Sequence, residues 1–219
     1  MKAMILAAGR GERMRPLTNH SPKPLLEIGS KSLIEHHLSR LYAAGYEEIV
    51  INTAWLGEQI RELLGNGKQY GVQISYSDEG DSALETGGGI FKALPLLGDD
   101  FFLVINGDIW CDHPLTQPKP KTGRLAHLVL VDNPEHNTDG DFSLRGHAVK
   151  NEPRTLTFSG IGWYHPKLFA NCGGGKFPLA PLLRTAIDRQ QVSGEHYRGQ
   201  WSDIGTPKRL EDIRTMVGS

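Results

Sequence analysis

Glycines and cations follow the first apolar segment of the chain at close spacing. Residues 3–8 form an apolar run, and Gly9 and Gly11 come directly after it. Glycine has no Cβ and adopts positive φ, so these positions allow successive backbone N–H groups to point at one anion. The cations near this loop are Arg10, Arg13, Arg15 and Lys23. The segment therefore predicts a polyphosphate site at the carboxyl end of a strand, where open α/β sheets bind their ligands.

The loop differs from two well-known phosphate-binding motifs. It contains no G-x-x-x-x-G-K-[ST] sequence, and its G-x-G continues as Glu-Arg-Met-Arg without a third glycine at the dinucleotide spacing. A dinucleotide-dependent oxidoreductase is therefore disfavoured.

Two aspartates are candidates for binding a metal ion. Asp108 follows the apolar segment 101–105, and Asp203 lies in the stretch 201–207, which reads WSDIGTP. Mg²⁺ binds through a few carboxylate oxygens together with waters and phosphates, so two aspartates beside a triphosphate would suffice. Each aspartate also has a simpler interpretation. Asn106-Gly107-Asp108 is a good turn sequence, and Asp203 could cap the helix that follows it.

A run of three glycines at 87–89 opens a predicted helix over 88–97. The segment 84–89 reads LETGGG. Consecutive glycines destabilise a helix. Their presence here indicates that another group approaches the backbone closely. We expect this segment to present backbone N–H groups to a ligand at the helix N-terminus.

The first loop, read as LAAGxGxRxxPLT with PKPLL downstream at 22–26, resembles the signature of the sugar-1-phosphate nucleotidyltransferases. The likeness covers nearly the whole chain. Within that family it is greatest to the enzymes that uridylylate N-acetylmuramic acid (MurNAc) α-1-phosphate in peptidoglycan recycling, through the segments 52–57, 76–80, 84–90, 104–110 and 157–162. The resemblance implies Mg²⁺-dependent transfer from UTP to a sugar 1-phosphate. Guanylyl transfer to mannose 1-phosphate, thymidylyl or uridylyl transfer to glucose 1-phosphate, and a non-catalytic nucleotide-sugar sensor are the alternatives.

The resemblance also implies roles for particular residues. Arg13, Lys23 and Asp108 are the expected catalytic residues, and Asp108 and Asp203 the expected Mg²⁺ ligands. The expected nucleotide-binding residues are Leu6, Ala7, Ala8, Gly9, Gly11, Lys23, Glu79, Glu85, Thr86, Gly87 and Asn106. The expected sugar-binding residues are Gly140, Asp141, Glu152, Ser159 and Gly160. Many relatives have Glu-Lys-Pro where this chain has Asn151-Glu152-Pro153, so the usual lysine is missing and Lys150 is a possible substitute.

Composition indicates an ordinary globular protein. The chain has 219 residues, 38% of them hydrophobic, and a net charge of −1, which gives no overall attraction to nucleic acid or anionic membranes. Cys111 and Cys172 have no metal-ligand spacing and are expected to be reduced thiols. No apolar run has the length of a membrane span, and no signal peptide is recognisable, so we expect a cytoplasmic monomer or small homo-oligomer.

Strand and helix patterns alternate through the first half of the chain. Strands are predicted at 3–8, 47–52, 72–76 and 101–105, and helices at about 33–44, 56–64 and 88–97. After an expected surface loop from Pro114 to Gly123, strands follow at 124–131, 141–149 and 155–164, then helices at 179–190 and from Pro207. This order predicts an α/β fold, a Rossmann-like three-layer sandwich with a mixed, mainly parallel sheet. We expect one domain over 1–219, with a nucleotide-binding half at about 1–112 and a sugar-binding half at about 113–219.

Overall fold

The computed structural model describes residues 1–80, 82–118 and 122–218. Residues 119–121 of the predicted loop Pro114–Gly123 lie outside these ranges. The strands are β1 Ala3–Leu6, β2 Glu27–Ile28, β3 Lys31–Ser32, β4 Glu48–Thr53, β5 Gln73–Asp78, β6 Phe102–Asn106, β7 Ile109–Cys111, β8 Ala126–Asp132, β9 Ser143–Arg145, β10 Ala148–Lys150, β11 Leu156–Tyr164, β12 Val192–His196 and β13 Trp201–Asp203. The α-helices are α1 Leu33–Ala43, α2 Gly57–Leu64, α3 Glu85–Leu97, α4 Leu179–Asp188 and α5 Pro207–Gly218.

Nine strands form one sheet in the order β5-β4-β1-β6-β11-β8-β12-β10-β9. The first four are parallel to one another, and β12 is parallel to β8. Strand β11 runs antiparallel between β6 and β8, and β10 runs antiparallel between β12 and β9. Seven of the nine strands therefore point the same way, which confirms the predicted mixed, mainly parallel sheet. The sheet takes strands from both predicted halves of the chain.

Helices cover both faces of this sheet. Along β1, Ala3 and Ile5 join a core cluster with residues of α1 and α2, whereas Met4 between them joins a cluster with residues of α3 and α4. Side chains alternate between the two faces of a strand, so a strand buried on both faces reads as the continuous apolar run seen in the sequence. The three-layer α/β sandwich is confirmed.

A third, smaller core cluster joins the two ends of the chain. Met14 of the first loop packs with Ile204, which follows β13, and with Leu210 and Ile213 of α5. All four are buried. This cluster holds the first loop against the segment that carries Asp203.

Three predicted elements differ from the structure in their bounds or number. Strand β1 ends at Leu6 rather than residue 8, because the Ala7 N–H leaves the sheet to donate to Asn52 Oδ1 at 2.8 Å. Helix α3 begins at Glu85 rather than residue 88. The single strand predicted over 141–149 is two short antiparallel strands, β9 and β10, joined through Gly146 at φ 61°.

Five further strands were not predicted. Strand β12 is a short segment after α4, and β2 pairs with β3 in a small hairpin. Strands β7 and β13 form a separate two-stranded antiparallel sheet. Both cysteines are free, as expected. Among the described residues, no helix is long and apolar enough to cross a membrane.

Candidate active site

The first loop forms one wall of a cavity of about 580 Å³ at the carboxyl end of β1. Gly11 has a φ of 63°, which favours glycine, and a Cβ built there would lie 3.0 Å from Thr18 Cγ2. The Thr18 hydroxyl donates to the Gly11 carbonyl at 2.8 Å and fixes the loop. The cavity is lined by Leu6, Ala7, Ala8, Gly9, Arg10, Gly11, Glu12, Arg13, Met14, Lys23, Pro24, Asn52, Glu79, Ala83, Glu85, Thr86, Asn106, Gly107, Asp108 and Gly205.

Lys23 and Asp108 form an ion pair in this cavity. Lys23 Nζ lies 2.6 Å from Asp108 Oδ2, with the lysine side chain 9% exposed and the aspartate side chain 41% exposed. Asp108 reaches the cavity because β6 ends at Asn106, and the Gly107 N–H donates to the Leu6 carbonyl at 2.9 Å. A Cβ at Gly107 would lie 2.6 Å from that carbonyl oxygen, so this close approach requires glycine. The sequence alone left open whether residues 106–108 were only a turn; the structure places them at the cavity.

Asp203 lies on β13, beside the turn that carries Asp108. In the β7–β13 pair, Asp203 is opposite Ile109, and the Ile204 N–H donates to the Asp108 carbonyl at 2.7 Å. The Asp203 carboxylate contacts two basic side chains: Oδ1 is 2.8 Å from His136 Nε2, and Oδ2 is 3.0 Å from Arg209 Nη2. The fold therefore brings together two aspartates that are far apart in sequence.

Arg13 approaches the same place from the first loop. A Cβ built on Gly205 would lie 3.2 Å from Arg13 Nη2 and 2.9 Å from Asp203 Oδ2. Arg13, Asp203 and Arg209 thus converge on Gly205, which lines the cavity. This convergence gives a strongly polar corner next to the Lys23–Asp108 pair.

A buried polar network supports the other side of the cavity. Asn52 Nδ2 donates to Glu79 Oε1 at 2.6 Å, and Glu79 Oε2 accepts from the Leu84 N–H at 2.6 Å. With the bond from the Ala7 N–H to Asn52, the network links the ends of β1, β4 and β5 to the start of α3. Asn52 was missing from the predicted site, although a polar residue at the end of the apolar run 49–51 was a usable signal.

The three glycines of α3 face protein rather than the cavity. A Cβ at Gly87 would lie 2.5 Å from Phe177, one at Gly88 would lie 2.3 Å from the Gly175 carbonyl oxygen, and one at Gly89 would lie 2.4 Å from Glu79 Oε1. The expected close approach is present, but the approaching groups belong to this chain. Glu85 and Thr86 line the cavity, whereas Gly87 does not.

None of the predicted sugar-binding residues lines this cavity. Asp141 Oδ2 accepts from the Phe158 N–H at 2.8 Å, and the buried Ser159 hydroxyl donates to the Val129 carbonyl at 2.8 Å. Gly140 and Gly160 have positive φ and pack against Asn133 and Asn106 respectively. These four residues shape the sheet next to the site. Glu152 is exposed and pairs with Arg154 at 3.3 Å.

His37 of α1 is buried close to Asp108, with 2% of its surface exposed. Burial lowers its pKa to about 3, assisted by nearby Arg40 and opposed by the Asp108 carboxylate. Within the described chain, neither ring nitrogen has a hydrogen-bond partner. A neutral imidazole therefore lies near Asp108.

The chain belongs to the nucleotidyl transferase family. The profile of that family, described as "Nucleotidyl transferase", matches residues 2–131, which include the first loop, Lys23 and Asp108. A crystal structure of a protein from Bacillus anthracis assigned as a glucose-1-phosphate thymidylyltransferase superimposes with a TM-score of 0.87 over 99% of this chain and 95% of that chain, at 23% identity. At that identity the likeness shows the fold. The protein is an enzyme that transfers nucleotidyl groups.

Two curated relatives are similar along nearly their whole length. The N-acetylmuramate α-1-phosphate uridylyltransferase of Neisseria meningitidis is 51% identical over 100% of this chain and 99% of its own. The enzyme of the same name from Caulobacter vibrioides is 34% identical over 94% of this chain and 92% of its own. Within the family, the chain is therefore similar to sugar-1-phosphate uridylyltransferases.

Proposed function

We propose that this protein transfers a uridylyl group from UTP to MurNAc α-1-phosphate, giving UDP-MurNAc and pyrophosphate. The observation that carries the proposal is the Lys23–Asp108 pair at the edge of a cavity walled by a glycine-rich, cationic loop. The choice of base and sugar rests on the 51% identity to a relative of that name over the whole chain. In the cell this reaction would reuse cell-wall sugar in the cytoplasm.

Mg²⁺ is the proposed cofactor, held by Asp108 and Asp203. Within the described residues no group of three or more His, Cys, Asp or Glu side chains could hold a metal. Mg²⁺ needs fewer protein ligands when phosphates and waters complete its shell, so two carboxylates, one in the turn before β7 and one on its partner strand β13, fit it. When bound, the ion would neutralise the phosphate charges that repel each other. Asp203 now contacts His136 and Arg209, so the ion would compete with these two side chains for the carboxylate oxygens.

The remaining chemistry is positioning and charge stabilisation by this chain. A phosphate monoester has a second pKa of about 6, so a sugar 1-phosphate is mostly a dianion at neutral pH and attacks the α-phosphorus without a general base. Arg13 and the backbone N–H groups between Gly9 and Gly11 would hold the β- and γ-phosphates as pyrophosphate leaves. Lys23, which is buried and close to Asp108, would stabilise negative charge that grows at the α-phosphate.

The decisive experiment measures pyrophosphate release with Mg²⁺. Each of UTP, dTTP, GTP, CTP and ATP is combined with the α-1-phosphates of MurNAc, N-acetylglucosamine, glucose and mannose. The expected result is that UTP with MurNAc 1-phosphate has by far the highest kcat/KM of all pairs. A higher kcat/KM with another pair would contradict the proposed substrates while keeping the reaction class. Nucleotide binding without turnover of any pair would favour a nucleotide-sugar sensor.

A separate test addresses the metal. Treatment with EDTA should abolish turnover, and Mg²⁺ should restore it. Binding of Mn²⁺ in the presence of UTP, followed by electron paramagnetic resonance, should weaken in both Asp108→Asn and Asp203→Asn. Unchanged Mn²⁺ binding in either variant would remove that aspartate from the proposed ligand set.

A further inference from the structure

A second cavity, of about 410 Å³, lies close to the first, because a Cβ built on Gly205 would be 2.9 Å from Asp203 Oδ2. Asp203 lines the second cavity and Gly205 lines the first. The walls of the second cavity come from the loop after β8, the loop between β12 and β13, β13 itself and α5. Its ionisable lining residues include Asp132, Glu135, His136, Arg198, Asp203 and Arg209.

Most of these charges are already paired within the protein. Asp203 contacts both His136 and Arg209, and Asp132 accepts from His196 Nε2 at 2.9 Å. Arg198 is different: in residues 1–80, 82–118 and 122–218, its side chain has no hydrogen bond or ion pair. Glu135, the remaining carboxylate, is likewise unpaired within those ranges. Among the described residues, the cavity thus holds one unpaired guanidinium. A guanidinium can donate two parallel hydrogen bonds to a carboxylate.

The loop that carries Arg198 is fixed at both ends. The Tyr197 N–H donates to the Leu130 carbonyl at 2.8 Å, and the Tyr197 hydroxyl donates to Asp112. On the other side, the Trp201 indole N–H donates to the Ser159 carbonyl at 2.8 Å. Arg198 therefore extends from an anchored turn, and a ligand that binds it need not order the loop first.

The position of this cavity suits the acceptor sugar. In the proposed reaction, the sugar phosphate must lie near Lys23, Asp108 and Asp203, and the nucleotide occupies the first cavity. The sugar then extends past Asp203, where the second cavity lies. MurNAc differs from N-acetylglucosamine by a lactyl ether that ends in a carboxylate, and the volume is within the range of small-ligand pockets.

We propose that Arg198 binds the lactyl carboxylate of the acceptor and so selects MurNAc 1-phosphate over N-acetylglucosamine 1-phosphate. This inference rests on the proposed function, because it takes the acceptor to be a carboxylated sugar phosphate. It assigns the choice of acceptor to Arg198, which lines the second cavity and does not line the first cavity, where the nucleotide is proposed to bind.

The test compares three acceptors in wild-type protein and in Arg198→Gln. The acceptors are MurNAc 1-phosphate, its lactyl methyl ester, and N-acetylglucosamine 1-phosphate assayed at high enzyme concentration. In wild type, esterification should lower kcat/KM at least ~10-fold, the scale of one hydrogen bond to a charged group. Arg198→Gln should lose a similar factor with the acid and should no longer distinguish the acid from the ester. Its kcat/KM with N-acetylglucosamine 1-phosphate and its KM for UTP should stay within about twofold of wild type.

Arg145→Gln is the matched control. Arg145 is also exposed and has no hydrogen bond or ion pair in the described parts of the chain, but it lies on β9 and does not line the second cavity. This control should behave as wild type with all three acceptors.

Two results would overturn the inference while leaving the proposed function intact. Equal losses with all three acceptors would mean that Arg198 contacts a group they share, such as the phosphate. Unchanged discrimination between acid and ester in Arg198→Gln would mean that the carboxylate binds elsewhere. By contrast, wild-type protein that turns over another sugar phosphate but not MurNAc 1-phosphate would contradict the proposed function, and this inference with it.

Discussion

At the scale of single residues, the candidate site contains a buried cation, Lys23. Lys23 keeps 9% of its side chain exposed, yet it pairs with Asp108, which is 41% exposed. Desolvation strengthens the interaction of a charge with its neighbours, so a lysine in this position stabilises added negative charge better than an exposed one.

We expect Lys23→Ala to lower kcat/KM for uridylyl transfer at least ~10²-fold, the scale of losing one electrostatic stabiliser. Asp108 can be solvated from the cavity when its partner is removed, so the fold should persist, which circular dichroism checks. Lys31→Ala, on the exposed hairpin strand β3, is the control and should keep wild-type kinetics. Near-normal turnover of a folded Lys23→Ala would remove this lysine from the catalytic group.

At the scale of elements, the start of α3 shows how packing can require glycine inside a helix. Gly88 lies against the segment 175–177: its N–H donates to the Phe177 carbonyl at 3.0 Å, and a Cβ would lie 2.3 Å from the Gly175 carbonyl oxygen. The contact holds α3, and with it Glu85 and Thr86, in place at the cavity.

Gly88→Ala should therefore destabilise the protein by roughly 1–3 kcal/mol, although alanine is the better helix former, because the added methyl group overlaps backbone. Urea unfolding measures the change. Gly173→Ala is the control, because a Cβ at Gly173 meets nothing within 4 Å. Equal stability of the two variants would mean that the 173–177 segment yields to the methyl group at little cost.

The elements also show what the sequence could predict. Long apolar runs such as 101–105 identified the buried parallel strands, because their pattern comes from burial on both faces. Strand β13 is only three residues long, and its partner β7 is about ninety residues earlier in the chain, so no local pattern indicates their pairing. That pairing places Asp203 beside Asp108. The family resemblance predicted a joint role for the two aspartates, whereas periodicity alone left each with a simpler interpretation.

At the scale of the whole molecule, the carboxyl edge of the sheet gathers the candidate site from both halves of the chain. The first loop follows β1, Asn52 lies near the end of β4, and Asp108 follows β6, so all three are at the carboxyl ends of parallel strands, where ligands are expected. The second cavity depends on β12, which pairs parallel with β8 after a long excursion through β11 and α4. Side chains such as Arg198 and His136 become neighbours through that topology, so their sequence positions gave no indication of a shared cavity.

The buried His37 connects the site to the stability of the whole fold. Its pKa is lowered to about 3 in the folded protein and is near 6.5 when unfolded, so between these values the unfolded chain binds one more proton. The free energy of unfolding should therefore rise with pH across this window. When the pH falls from 7 to 5, this histidine alone should lower the free energy of unfolding by about 2 kcal/mol. Urea unfolding at both pH values should show a smaller pH dependence in His37→Leu than in wild type, by about that amount. His147→Gln, which changes an exposed histidine, should keep the wild-type dependence. If His37→Leu also kept the wild-type pH dependence of stability, the His37 imidazole would have to take up its proton within the folded protein. The turn that carries Asp108 would then lie beside a cation at acidic pH.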